Sequence, residues 1–147
     1  MDMLENAIKA CPEELWGDRT QKPEYWYLIY HTLFWLDFYL TDSPDNYDPP
    51  KPFTLSELDP EGLFPKIVYT RVDLLNYLEH GRNKCKQTIK NLTDEKVNKH
   101  YEYGTVEMSF SELLLYNMRH VQHGVGQLNL ILRQKTNSAP GWVKQIK

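Results

Sequence analysis

Apolar residues that recur with a helical period constrain the fold of this chain more than any other feature of its sequence. Such stripes run through four segments, whereas no segment shows a convincing two-residue alternation of apolar and polar side chains. The sequence therefore predicts an all-α fold with four principal helices in a single domain, residues 1–147, which is long enough for a sizeable core. The predicted helices run from about Asp2 to Ala10, from Pro23 to about Leu40, from near Thr70 to about Leu92, and from the Ser109 segment to about Gln134.

Capping patterns and prolines indicate where the helices begin and what joins them. Three pairs have the spacing of helix caps, and the pairs are Thr70 with Asp73, Ser109 with Glu112, and Thr54 with Glu57, the last for one short turn. Residues 41–52 contain four prolines, which excludes a helix or a central strand. This segment is predicted to be a long crossover between the second and third principal helices, and long loops of this kind often cover a site. Residues 100–106 are predicted to be a polar and aromatic connection.

Composition and charge exclude several classes of function. The net charge is −3 and no basic patch is present, so nucleic-acid binding has no electrostatic support. The acidic N-terminal residues do not resemble a signal peptide, and the longest apolar and aromatic stretch, Tyr25 to Leu40, is too short for a membrane span. Cys11 and Cys85 form no metal or redox motif, so the chain is predicted to be cytoplasmic, without a disulfide framework.

Three histidines are the candidates for chemistry. His120 and His123 are three residues apart, which places them on neighbouring parts of one helix face. His31 lies in an aromatic helical stretch far upstream, and imidazoles on separate helices of a bundle can converge on one divalent metal ion. A metal with an open position can activate water for hydrolysis or bind a thiolate, so both reaction types stay open. A lone histidine in an apolar stripe, however, is more often a core residue.

Two segments resemble the DinB-like, or DinB/YfiT, superfamily, and the resemblance covers nearly the whole chain. The segments are Tyr30-His31-Thr32-Leu33-Phe34-Trp35-Leu36-Asp37-Phe38-Tyr39-Leu40 and Met118-Arg119-His120-Val121-Gln122-His123-Gly124-Val125-Gly126-Gln127-Leu128. The resemblance implies an up-down-down-up four-helix bundle from a bacterial family that is often homodimeric. It also implies a three-histidine site for a divalent transition metal, nickel or zinc, in a hydrolase or a transferase of small-molecule thiols.

The resemblance assigns roles to individual residues of this chain. His31 and His120 match two metal ligands of the family, and Gly126-Gln127-Leu128 matches the end of its motif. The third ligand is expected at position 124, where this chain has Gly124, and His123 stands one place earlier as the candidate substitute. Asp37 and Gln127 are candidates for orienting a ligand by hydrogen bonding.

Gly124 is the main departure from the family pattern. Position 124 lies about 40° around the helix from His120, and His123 lies about 60° the other way. A glycine inside a helix costs about 1 kcal/mol relative to alanine, and Gly126 adds a second such cost. Close packing against an aromatic such as Trp35, room for a ligand, or a site that has lost its metal would each explain Gly124. The alternative function is therefore a non-catalytic bundle whose degenerate site binds a partner or a small ligand.

Overall fold

The structure is a computed structural model that describes residues 1–42, 44–103 and 106–144. Four principal helices dominate it, which confirms the predicted all-α bundle, and a small two-stranded hairpin is added to them. The elements are α1 (Asp2–Ala10), α2 (Glu13–Trp16), α3 (Tyr25–Tyr39), α4 (Arg71–Lys90), α5 (Asp94–Asn98), β1 (His100–Tyr103), β2 (Val106–Ser109) and α6 (Phe110–Thr136). No helix in the described ranges is long and apolar enough to cross a bilayer.

Helix α3 is the central helix of the bundle. It packs against both α4 and α6, while α1 closes the bundle against the same two helices. Most of its residues are buried, as expected of a helix that is apolar nearly all round. The exceptions near the middle of α3, Tyr27, His31 and Trp35, follow one another at four-residue intervals and are only half-buried. They form a single stripe on α3 that is open to solvent.

The predicted caps of α4 and α6 are confirmed. Thr70 and Asp73 form a reciprocal capping box at the start of α4, and Ser109 and Glu112 form another at the start of α6. Each box satisfies backbone N–H groups that have no partner within the first turn of a helix. Helix α6 ends slightly later than predicted, at Thr136, and its C-cap residue Asn137 has the left-handed conformation.

The hairpin of β1 and β2 occupies much of the segment predicted as a connection. The two strands are antiparallel, with Tyr101 opposite Met108. Buried Tyr101 packs against Phe110, and the Phe110 N–H donates to the Lys99 carbonyl, so the hairpin is held against the start of α6. Strands of four residues are too short to show an alternating pattern in the sequence, which is why they were not predicted. Residues 104 and 105 lie outside the described residues.

The connection between α3 and α4 is long, as predicted, and it is packed onto the bundle. Its buried aromatic rings, Tyr47, Phe53 and Tyr69, contact Phe34, Tyr30 and Tyr77 of the helices. Two short 3-10 turns, Pro44–Asn46 and Ser56–Leu58, interrupt the connection. The second of these turns brings an acidic residue to the open stripe of α3.

Candidate metal site

His31 occupies the middle of the open stripe on α3, where its environment is only partly shielded. Its side chain is 38% exposed. Tyr27 lies one turn before it and Trp35 one turn after it, with ring centroids 6.3 and 6.4 Å from the imidazole. The imidazole therefore lies between two aromatic side chains and still has access to solvent.

Glu57 fixes the orientation of the His31 ring. Its carboxylate oxygen Oε2 accepts a hydrogen bond from His31 Nδ1 at 2.6 Å and another from Trp35 Nε1 at 2.9 Å. Burial raises the pKa of the Glu57 carboxyl, whose side chain is only 5% exposed, but hydrogen bonds from His31 and Tyr27 outweigh burial and lower the pKa below its ordinary value. Because Glu57 holds Nδ1, the other ring nitrogen of His31, Nε2, is the one left to face a ligand.

His120 projects from α6 beside His31. The centroids of the two imidazole rings are 5.2 Å apart. The Nε2 atom of His120 is buried and has no hydrogen-bond partner among the described residues. Burial, followed by the proximity of His31, lowers the pKa of His120 to about 4, so the ring is neutral near pH 7. A buried imidazole nitrogen without a partner is unusual, because such a group loses its hydrogen bond to water on folding.

His123 and Gln127 do not join this pair in the structure. His123 is exposed on α6, although it is near enough that its charge would lower the pKa of His120. Gln127 is half-buried on the same helix. Within residues 1–42, 44–103 and 106–144, no group of three or more His, Cys, Asp or Glu side chains is arranged to hold a metal ion. The complete ligand set of His31, His120 and His123 therefore stays a prediction.

Gly124 is explained by close packing, and its partner is Thr32 rather than an aromatic ring. A Cβ atom at position 124 would lie 2.2 Å from Thr32 Oγ1 and 3.1 Å from its Cγ2 atom. Thr32 is fully buried in α3, and its hydroxyl donates to the Leu28 carbonyl. The expectation of an aromatic partner such as Trp35 is wrong, and the space at this position is filled by the protein itself.

Among the described residues, the hydrogen bonds of the Asp37 carboxylate are with residues other than His31 and His120. Its carboxylate is 1% exposed and accepts hydrogen bonds from Lys84 Nζ at 2.5 Å and Tyr47 Oη at 2.9 Å. The carboxylate that orients His31 is instead that of Glu57. The capping pattern suggested for Thr54 and Glu57 is wrong, because the short turn has Leu55 at its start and no side-chain cap. The sequence shows that Glu57 is an acidic residue in a short turn. It gives no indication that this residue contacts His31, which lies 26 positions away.

The residues present can supply two of the ligands that a divalent transition metal needs. Neutral imidazoles are common ligands of such ions, and a carboxylate that accepts from the far nitrogen of a ligating histidine is a usual accompaniment. His31 and His120 supply these two imidazoles, and Glu57 supplies the carboxylate. Ligands for the remaining positions would come from solvent, from a substrate, or from a histidine that changes its rotamer.

Comparison with known proteins identifies the family of the chain but no specific activity. No curated protein and no solved structure matches the chain. The model of the DinB superfamily matches residues 1–128, a range that includes His31, Glu57, His120 and the glycine-containing end of the motif in α6. Because this match covers most of the chain, the protein belongs to the DinB superfamily.

Proposed function

We propose that this protein binds a divalent transition metal, nickel or zinc, through His31 and His120, and uses it in hydrolysis or in transfer of a small-molecule thiol. One observation carries the proposal. His120, whose Nε2 has no hydrogen-bond partner in the part of the chain that the structure describes, lies beside His31, whose own Nδ1 is held by Glu57. His31 and His120 thus each have an imidazole nitrogen left over for a ligand at one place on the bundle.

The residues around the pair have separate tasks in this proposal. A bound metal would supply a Lewis acid that lowers the pKa of water or of a thiol at its open position. Glu57 holds the His31 ring in one orientation and keeps its Nδ1 proton in place. Tyr27 and Trp35 flank the partly exposed side of His31 and limit the approach of bulk water. His123 is the proposed third ligand, and it reaches the site only if its side chain turns inward from its exposed position.

Elemental analysis of the untagged protein tests the metal site directly. We expect about one transition-metal ion per chain, which His31→Ala and His120→Ala each abolish because each removes one of the two imidazoles that lie together in the structure. His100→Ala is the matched control, since His100 is exposed on β1 and pairs with Glu107. Circular dichroism shows whether the variants keep the helical fold. Stoichiometric metal in both site variants, or no binding by the wild type after incubation with nickel and zinc, would overturn the proposal.

The alternative is a non-catalytic bundle with a degenerate site, and two observations favour it. The described residues hold no three-ligand group, and Thr32 fills the space beside Gly124 where a third histidine would have to begin. The double variant Thr32→Ala/Gly124→His separates the two functions, because it makes room for the missing ligand. A sharp rise in nickel or zinc affinity indicates a degenerate natural site, whereas unchanged strong affinity indicates that the natural ligands already suffice.

A further inference from the structure

Residues 113–147, which include most of α6, contain no acidic residue. All 20 Asp and Glu residues of the chain lie before position 113, although the chain as a whole has a net charge of −3. After Glu112 the charged residues of α6, apart from its histidines, are Arg119, Arg133 and Lys135. The stretch of α6 that carries His120 therefore has no carboxylate of its own that would repel an anion approaching the histidine pair.

Arg119 lies on this stretch, immediately before His120 in the sequence. Its guanidinium carbon Cζ is 5.5 Å from the centroid of the Tyr116 ring, one turn earlier on α6. The Tyr116 ring meets Tyr39 of α3 edge-on at 5.4 Å, and Tyr39 in turn meets the His120 ring edge-on at 6.4 Å. The guanidinium of Arg119 is thus connected to the histidine pair by a surface of two aromatic rings.

The Arg119 guanidinium has no carboxylate partner among residues 1–42, 44–103 and 106–144. Three other arginines each pair with at least one carboxylate, and they are Arg19, Arg71 and Arg82. Arg119 is exposed, and its position over a tyrosine ring leaves the N–H groups at the edge of the guanidinium open to solvent. These N–H groups form a planar fork that matches the two oxygens of a carboxylate.

Glu57, the carboxylate that contacts the histidine pair, does not compete for Arg119. Its side chain is 5% exposed, and its Oε2 atom accepts from His31 Nδ1 and from Trp35 Nε1. Arg119 therefore offers a positive charge near the pair that no carboxylate in the described part of the chain neutralises. The partly exposed rings of Tyr39 and Tyr116 add apolar surface between this charge and the pair.

We propose that Arg119 binds the carboxylate of an acidic substrate at the candidate metal site, an inference that rests on the metal-dependent function proposed above. The single charge of a carboxylate matches a single guanidinium. Because the rings of Tyr39 and Tyr116 lie between Arg119 and His120, the carboxylate and the reacting group lie at opposite ends of the substrate, and an apolar chain between them covers the two rings. Arg119 thereby selects acidic thiols, or acidic compounds open to hydrolysis, over neutral ones.

Titration of the nickel-loaded protein with 6-mercaptohexanoate and with 6-mercaptohexanol tests this role of Arg119. The two thiols have the same carbon chain and differ in charge at the far end, and the absorbance of the nickel–thiolate bond reports the binding of either. We expect the wild type to bind the acid about fivefold more tightly, the ratio that a favourable exposed ion pair gives. Arg119→Gln is expected to abolish this preference, and so is salt at about 1 M, which screens exposed charges. Equal affinity of the wild type for the two thiols, absence of binding included, or a preference that survives in Arg119→Gln contradicts the proposal.

Matched variants separate this inference from the proposed metal site. Nickel content is expected to be the same in Arg119→Gln as in the wild type, because a guanidinium has no lone pair for a metal. Arg133→Gln is the control and should keep the preference for the acid, since Arg133 is exposed on the same helix about 21 Å further along. Tyr116→Phe should also keep the preference, whereas Tyr116→Leu, which has no ring beneath the guanidinium, should reduce it. A wild type without nickel overturns the metal site and this inference together, whereas nickel binding without a preference for the acid overturns only the carboxylate site.

Discussion

The hydrogen-bond partner of one imidazole nitrogen determines whether the other nitrogen can bind a ligand. The Nδ1–H group of His31 donates a hydrogen bond to Glu57 Oε2, and the same carboxylate oxygen also accepts from Trp35 Nε1. Two donors on one oxygen hold the carboxylate in place, and the carboxylate holds the ring. The Nε2 atom of His31 is thereby left for a ligand, and the neighbouring His120 has an Nε2 atom with no partner in residues 1–42, 44–103 and 106–144.

Glu57→Gln is expected to weaken metal binding without unfolding the protein. The amide keeps the size of the side chain but removes the charge that holds the His31 proton at Nδ1. Loss of such a partner typically lowers metal affinity by about ten- to a hundredfold. Competition with a chelating dye measures the affinity, and Glu61→Gln is the control because Glu61 is exposed on the same connection. Equal affinity of wild type and Glu57→Gln would show that His31 needs no orienting carboxylate.

Two glycines of α6 lie two residues apart and have opposite surroundings. At Gly124 the helix approaches α3 so closely that a methyl group would overlap Thr32, whereas at Gly126 a methyl group would meet open space. The Thr32 hydroxyl can turn away only by losing its hydrogen bond to the Leu28 carbonyl, and the Cβ atom of Thr32 would still make a tight contact at 3.2 Å. Gly124 permits close contact between α3 and α6, whereas Gly126 faces open space, although both glycines look in the sequence like equal costs to the same helix.

Alanine at the two positions is expected to change stability in opposite directions. Gly124→Ala should lower the free energy of unfolding by about 1 to 3 kcal/mol through overpacking, whereas Gly126→Ala should raise it by up to about 1 kcal/mol. Urea denaturation measures both changes. In the double variant Thr32→Ala/Gly124→Ala the two losses should be less than additive, because the change at position 32 removes Oγ1 and Cγ2, the two atoms nearest to the added methyl group. A Gly124→Ala protein as stable as the wild type would show that α6 can move away at little cost.

Local sequence patterns predicted the helices, whereas contacts between distant segments could not be predicted from such patterns. The caps at Thr70 and Ser109 join residues only three positions apart, so their chemistry can be read directly. The spacing of Thr54 and Glu57 predicts a cap, because a local pattern cannot show that the partner of Glu57 is His31, far along the chain. The packing of Gly124 on Thr32 likewise depends on how α3 and α6 come together. The pairing of His31 with His120 was expected from the family resemblance, and their ring contact agrees with it.

At the scale of the whole molecule, Asp37 joins three separate parts of the chain. Its buried carboxylate near the end of α3 accepts from Tyr47 in the long connection and from Tyr77 and Lys84 of α4. The exposed side chain of His80 adds a fourth contact from α4. The connection that this cluster holds down is the one that carries Glu57. We therefore expect the buried charge of Asp37 to help keep the Glu57 carboxylate in position at the candidate metal site.

Asp37→Asn is expected to lower the free energy of unfolding by about 2 kcal/mol. Hydrogen bonds to a charged group contribute about 1.5 to 3 kcal/mol, and the Lys84 partner is partly exposed, so the loss stays below that of a fully buried ion pair. Urea denaturation gives the change, and limited proteolysis should show faster cleavage in the connection between α3 and α4. Asp45→Asn is the matched control, since Asp45 is exposed in the first 3-10 turn.

The double variant Asp37→Asn/Lys84→Met decides whether the ion pair itself holds the connection. Lys84 Nζ also donates to the Asp37 carbonyl and to Thr41 Oγ1, so its loss alone should destabilise the same region. If the pair acts as a unit, the double variant loses less than the sum of the two single losses. Strict additivity, with no change in cleavage of the connection, would mean that the packing of Tyr47, Phe53 and Tyr69 alone holds the connection and Glu57 in place.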